Sequence, residues 1–309
     1  MIVEPNQMDF SDQNITILIF GAPGTGKSTL GCSLNNPLVV DTDNGTVRVD
    51  AAHRVDTSFC KTYEEINADL EKAKGKYESL VIDTGGAFVS FLKEWVKRNE
   101  PTATKKGGGF SYQGYGFVLD EFNMFAAEAR KWWKVTCFLF HEATEKRGEE
   151  IFYSILCEGN AKTTVWNNCT VGARLFIQNG ERYLGFSPTD EYNAKSTSGI
   201  KGLIKVPELK EGDVNDFLAR LVDKIRQQRA DNAKAFSADK AKYDAAMKRG
   251  LSAIKSVTAP ELVEPCIAEI DVIEHALTSK KELLAALKEQ MKKVGIVYDK
   301  VNKVYTVKE

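Results

Sequence analysis

Short apolar runs rich in β-branched residues recur through the first two thirds of the chain. They alternate with longer stretches in which apolar residues return every three or four positions. Runs of the first kind predict buried strands, and stretches of the second predict amphipathic helices. Strands are expected at 15–20, 37–41, 79–84 and 135–140, with shorter ones at 151–157, 171–177 and 182–186. Asn179-Gly180 between the last two is a hairpin signal. Helices are expected at 27–34 and 62–74, the latter opened by the capping box Thr62-x-x-Glu65 with Ile66 and Leu70 on one face. Two more follow, from Gly85-Gly86 to about 98, and at 117–134 on Leu119, Phe122, Phe125 and Ala126. Strands and helices alternating in this way predict an α/β fold with a mostly parallel sheet covered on both faces.

Beyond residue 212 the strand pattern stops. Residues 213–229 are amphipathic, and 223–249 are alanine-rich with an excess of cations, which reads first as a solvated helix face. Thr258-x-x-Glu261 and Ser279-x-x-Glu282 have the form of capping boxes for two more helices. The last presents Leu283, Leu284, Leu287, Met291 and Val294, Gly295 ends it, and 296–307 predicts a short hairpin. The expected organisation is one α/β domain at 1–212 and a helical appendage at 213–309.

With 43% hydrophobic and 28% charged residues in 309, the chain has ample material for a sizeable core. A net charge of -1 means that contact with nucleic acid needs a local patch rather than a global field. The six cysteines are scattered without a C-x-x-C pair, as expected of reduced core thiols and not of a zinc site. The first residues are polar and acidic, unlike a signal peptide, and no apolar run approaches the roughly 20 residues that span a bilayer. A cytoplasmic protein with no membrane contact is expected.

The stretch with the sharpest chemistry is Gly21-Ala22-Pro23-Gly24-Thr25-Gly26-Lys27-Ser28-Thr29, which satisfies G-x-x-x-x-G-K-[ST] between a predicted strand and a predicted helix. Such a loop turns backbone N–H groups and a helix N-terminus toward phosphates. Lys27 is placed to reach the β- and γ-phosphates and the Ser28 hydroxyl to bind Mg²⁺, so ATP and Mg²⁺ are the expected ligands. Asp83, ending an apolar strand, is the matching candidate for the metal or its water shell. No N-K-x-D motif points to a GTPase, and no arginine-rich lid points to a nucleotide kinase. Ligands of such sheets sit beyond the strand C-termini, where Gly21, Asp43, Asp83 and His141 all fall.

In that order these motifs resemble a RecA-like P-loop NTPase core. More narrowly, 12–210 resemble the phage-encoded RecA-like NTPases of single-strand annealing and recombination. The resemblance rests on Gly21 to Ser28, Asp-x-Asp-x-Gly at 41–45, Val81-Ile82-Asp83-Thr84, the Tyr112-to-Gly116 stretch, and His141-Glu142. It implies a slow ATPase in which Asp43, in place of the usual Glu, polarises the attacking water and His141 senses the γ-phosphate. It further implies single-stranded DNA as partner, a homo-oligomer, other recombination proteins such as a single-strand-binding protein, and the bacterial host cytoplasm.

A DNA-binding loop of this resemblance falls on 100–116, where Lys105 and Lys106 accompany Phe110, Tyr112 and Tyr115. Cations suit phosphates and rings suit bases, while the same stretch reads equally as a disordered surface insertion whose aromatics fold back on the domain. A second candidate, with Lys146 and Arg147, lies just beyond His141 and also reads as a plain hairpin turn. Lys195 and Lys201 are at a position suited to completing a neighbouring subunit's site. Trp132 and Trp133 read as core. The rival classes are a nucleotide-gated assembly factor and a small-molecule phosphotransferase (a kinase) using the same loop.

Overall fold

The computed structural model describes residues 3–196 and 199–307. Two compact units emerge, one of 11–228 and one combining 1–10 with 229–309. The first holds a sheet built in chain order from β1 (Ile15–Gly21), β2 (Pro37–Asp41), β3 (Thr57–Phe59), β4 (Ser79–Asp83) and β5 (Val135–Arg147). It continues with β6 (Glu150–Ile155), β7 (Val171–Gln178), β8 (Glu181–Gly185), β9 (Lys195–Ser196) and β10 (Leu203–Val206). The spatial order is β10-β8-β7-β1-β5-β4-β2-β3, with β6 paired to β5 and β9 to β7. Strands β7, β1, β5, β4, β2 and β3 run parallel, while β8 and β10 extend the edge antiparallel. This is the expected α/β fold with its mostly parallel sheet.

The helices of this unit are α1 (Lys27–Gly31), α2 (Tyr63–Ala73), α3 (Gly85–Asn99), α4 (Tyr112–Trp132) and α5 (Ala161–Asn168). A helix α6 (Phe217–Lys255) starts in it and ends in the second unit. Strand β1 shows why its sequence is apolar throughout. Leu18 and Phe20 enter one core layer with Phe88, Phe122 and Phe138, while Ile15, Ile17 and Ile19 enter another with Leu30, Leu218 and Ile225. A strand buried on both faces loses the polar alternation.

Several boundaries differ from the sequence pattern for identifiable reasons. Helix α4 begins at Tyr112, five residues before the expected start, because Ser111 caps it and accepts from the Gly114 N–H at 2.9 Å. Gly114 is there for close approach, since a Cβ would stand 2.6 Å from the Ala103 carbonyl oxygen. Helix α1 stops at Gly31, short of 34, as the Ser33 hydroxyl bonds back to the Leu30 carbonyl at 2.6 Å. Strand β5 runs on through the expected turn at 145–150 to Arg147 and pairs with β6 as a hairpin. Helix α5 has no expected counterpart. The sequence pattern drew its domain line at 212, whereas the unit boundary falls within α6, whose Leu218, Leu221, Val222 and Ile225 pack into the first unit.

The second unit contains α7 (Val263–Asp271), α8 (Ser279–Lys293) and the hairpin β11 (Ile296–Asp299) with β12 (Val304–Val307). Neither expected capping box forms. A 3₁₀ turn at Pro260–Leu262 precedes α7, and neither helix has a side-chain cap bond. Ser279 is buried and bonds the His275 ring at 3.0 Å, so both residues have a structural part here. The cations of the basic stretch are partly neutralised, Lys242 by Glu274 and Arg249 by Glu269. All six cysteines are free thiols. Among the described residues no helix is long and apolar enough to cross a membrane.

Candidate functional site

The register of the parallel strands sets four chemical groups in a row. Gly21 lies opposite His141 across β1 and β5, Asp83 is level with Leu139 on β5, and Asp41 pairs with Asp83 across β2 and β4. All of them are at the C-terminal edge of the sheet, where the strand-terminal turns leave room for a ligand.

The phosphate loop leaves β1 at Gly21, where a Cβ would collide with the Leu175 carbonyl oxygen at 2.2 Å. Gly26 takes φ +94, a conformation that L side chains resist, and hands the chain into α1. Thr25 closes the turn by donating its hydroxyl to the Ala22 carbonyl at 2.8 Å. The Lys27 ammonium is buried and donates to the carbonyl oxygens of Gly21 at 3.0 Å and Ala22 at 2.8 Å. Burial lowers its pKa, opposed by the charges of Asp83, Glu142 and Asp43. Lys27 is thus a cation held at the mouth of the loop among three carboxylates.

Asp83 is almost fully buried, which pushes its carboxyl up to about 6. The nearby charges of Asp43 and Asp41 add to the rise, and the Ser28 hydroxyl and Lys27 oppose it. Its Oδ2 and the Oδ1 of Asp43 are buried without a hydrogen-bond partner. A Cβ built on Gly45 would sit 3.1 Å from that Asp43 oxygen, 3.2 Å from Asp83 Oδ2 and 3.3 Å from Ser28 Oγ. Three hard oxygen donors therefore face one small space, two of them orphaned. This donor set suits Mg²⁺, which takes one or two carboxylates and completes its shell with phosphate and water.

Asp41 has a different part from its neighbour. Its carboxylate accepts the backbone N–H groups of Asp43 at 3.2 Å, Gly45 at 3.0 Å and Thr46 at 2.9 Å. That ring of bonds fixes the turn that presents Asp43. The Asp43 Oδ2 lies 3.4 Å from His141 Nε2, both side chains remaining partly open to solvent. His141 Nδ1 has no partner. A carboxylate oriented by a ring nitrogen can accept a proton from water and hold the water in place.

Three further residues belong to the site, and the sequence pattern did not single out their chemistry. Glu142 receives the Arg174 Nε at 3.0 Å, and both side chains are nearly buried. The Arg174 guanidinium lies 3.4 Å over the Tyr153 ring. A lone arginine in the apolar run of β7 was the available signal. Arg182, on β8, approaches the loop, its Nε 3.6 Å from a Cβ built on Gly26. It borders a cavity of about 640 Å³ that Thr29, Leu30, Arg48 and Phe217 also line.

The remaining candidates lie apart from this cluster. Lys105 and Lys106 are exposed on the turn before α4, closed by the Lys105 N–H donating to the Gly109 carbonyl at 2.7 Å. Tyr112 and Tyr115 are on the first turn of α4 rather than in a loop, and Tyr112 is 89% exposed. Lys146 and Arg147 end β5, on the hairpin and not in a separate loop, with the Arg147 guanidinium 3.3 Å over Phe152. Lys195 donates to the Trp166 carbonyl at 3.2 Å, and Lys201 is exposed. Of the paired tryptophans Trp133 is core, while Trp132 is 46% exposed and donates to Glu128.

Residues 13–198 match the family described as AAA domain, more than half of the chain. Two solved structures match the chain at low similarity. The flagellar accessory protein FlaH from Methanocaldococcus jannaschii is 12% identical, with 64% of this chain and 91% of that one covered and a TM-score of 0.32. The KaiC-like protein PH0186 from Pyrococcus horikoshii OT3 is 12% identical, with coverages of 63% and 91% and a TM-score of 0.32. No curated protein matches the chain in sequence. With its phosphate loop, its strand-terminal carboxylates and this match, the chain belongs to the AAA domain family.

Proposed function

We propose that the protein is a slow, Mg²⁺-dependent ATPase that binds single-stranded DNA and promotes strand pairing in recombination or repair. The observation that carries the ATPase reading is the convergence of Ser28 Oγ with the orphaned oxygens of Asp83 and Asp43 in front of the phosphate loop. Ser28 and Asp83 would hold Mg²⁺ there, which when bound would neutralise charge developing on the phosphates and leave the Asp43 carboxylate to act as base. Lys27 then exchanges its loop carbonyls for the β- and γ-phosphate oxygens. Asp43 takes the proton of the attacking water, with His141 orienting the carboxylate from its Nε2 side. The sugar and base occupy the cavity beyond Thr29, near Arg48 and Arg182.

The DNA reading is supported by the exposed Lys105 and Lys106 on the turn that precedes the exposed Tyr112 in the chain. In a homo-oligomer the exposed Lys201 could reach a neighbouring subunit's site, and Lys195 could do so on leaving the Trp166 carbonyl. ATP binding and hydrolysis by the wild-type protein and by Lys27→Ala test the nucleotide part. Binding and turnover are expected in the wild type and their loss in the variant. Equal ATP affinity in both proteins would overturn the assignment of the loop.

A further inference from the structure

Between α3, α4 and the start of α5 lies a second cavity, of about 280 Å³, outside the nucleotide site. Val89, Tyr115, Val118 and Leu119 make its lining mainly apolar. Lys93 and Glu158 form an ion pair on its rim. The Lys93 ammonium also stands 5.4 Å from the centre of the Phe110 ring and 5.3 Å from that of Tyr115, so one cation fixes two rings. Those rings meet edge to face with centroids 4.8 Å apart. Tyr112 stands at the mouth almost fully exposed, and the turn that brings Lys105 and Lys106 precedes it directly.

We infer that this cavity takes one unstacked base of a bound single strand, with Tyr112 as its stacking face and Lys105 and Lys106 on the adjoining phosphates. The inference rests on the single-strand reading above and adds to it the place where a base is held. Three observations favour a base over other occupants. The space is apolar and large enough for one planar ring system, the exposed Tyr112 borders it, and the turn carrying Lys105 and Lys106 is closed by the Thr104–Phe110 bridge, whose Phe110 ring packs on the cavity-lining Tyr115.

The cavity walls are tied to the nucleotide site at both ends. Helix α3 begins two residues after Asp83 and reaches Lys93 about 12 Å along its axis. The segment leading to Glu158 is anchored where the Leu156 N–H donates to the His141 carbonyl at 2.7 Å. A Cβ on Gly86 of α3 would stand 3.0 Å from the Leu156 carbonyl oxygen, so the two walls touch next to the site.

Gly116 offers a clean test. It lines the cavity, is exposed, and a Cβ there meets nothing within 4 Å. Gly116→Leu therefore fills the space while favouring the helix. Binding of oligo-dT and of an abasic strand of the same length is measured for the wild type, Gly116→Leu, Tyr112→Ala and Tyr112→Phe, with thermal melting and ATP affinity as controls. Wild type is expected to prefer the strand with bases. Gly116→Leu and Tyr112→Ala should weaken binding to oligo-dT on the order of 5- to 100-fold, the contribution of one stacked base, and change little on the abasic strand. Tyr112→Phe, which keeps the ring, should bind as wild type. Melting and ATP affinity should not fall in any variant. Wild-type oligo-dT binding that Gly116→Leu leaves unchanged, or equal wild-type affinity for the abasic strand, overturns the base pocket alone. Absence of wild-type binding to oligo-dT overturns the single-strand reading and the pocket with it.

Discussion

The carboxylate of Asp43 meets the ring of His141 at 3.4 Å, across the C-terminal end of β4, which lies between their strands. The two are 98 positions apart in the chain, and the parallel registers of β2 with β4 and of β4 with β5 bring them together. If Asp43 is the base, Asp43→Asn keeps its shape and removes its proton affinity. Turnover should then fall by about 10²-fold or more, while ATP still binds. Steady-state hydrolysis and equilibrium nucleotide binding, measured on the same variant, check this. Unchanged turnover assigns the base elsewhere.

Asp83 predicts a pH dependence. Burial raises its carboxyl to about 6 from the ordinary value of 3.8, so the folded protein binds this proton more tightly than the unfolded chain. Its contribution to metal-free stability is fully present below about pH 4 and is lost as pH rises through about 6. Mg²⁺ has to displace the same proton, so with nucleotide present its apparent affinity should fall about tenfold per unit below pH 6. Proton release on Mg²⁺ addition at pH 5.5, followed by calorimetry in two buffers, measures this. Asp83→Asn should remove the part of the release that exceeds that of nucleotide and Mg²⁺ mixed without protein.

Arg174 and Glu142 form a nearly buried pair, with side chains 9% and 13% exposed. Removing one partner leaves the other charged and desolvated, at a cost of about 3–5 kcal/mol. Arg174→Met should therefore lower the melting temperature strongly, and the double change with Glu142→Gln should recover most of the loss. Equal melting of the single and double variants would show that the Tyr153 stacking, and not the pair, is what Arg174 contributes.

The motifs that place the nucleotide site were legible because each is local. The phosphate loop lies within nine residues, and Asp83 ends a run whose apolar character both core layers explain. What was not legible depends on residues far apart in the chain. Gly114 breaks the helical pattern in the sequence, yet in α4 it is the residue that lets the helix pass Ala103. The resemblance singles out Asp43, but no local pattern says what Asp41 does. Only the backbone donors gathered round Asp41 separate the one that shapes the turn from the one that faces His141. Arg182 comes near Gly26 through the β7–β8 hairpin, a closeness no local pattern encodes.

The lysines at 105 and 106 are exposed, so their contribution to DNA binding should be electrostatic and sensitive to salt. Replacing both by Ala should lower the slope of log affinity against log salt by about 0.7 for each single-strand phosphate that the lysines had neutralised. Hydrolysis without DNA should be untouched. A slope unchanged in the double variant would remove this turn from the interface.

The most direct measurement is fluorescence anisotropy of labelled single-stranded and duplex oligonucleotides at low salt, with a non-hydrolysable ATP analogue, with ADP, and with Lys27→Ala. Tight binding of the single strand with the analogue, weaker binding with ADP or to the duplex, and no response to the analogue in Lys27→Ala is the result expected of a nucleotide-driven protein acting on single strands. Absence of single-strand binding by the wild-type protein with the analogue and Mg²⁺ present would contradict it and leave a nucleotide switch for protein assembly as the reading of the site.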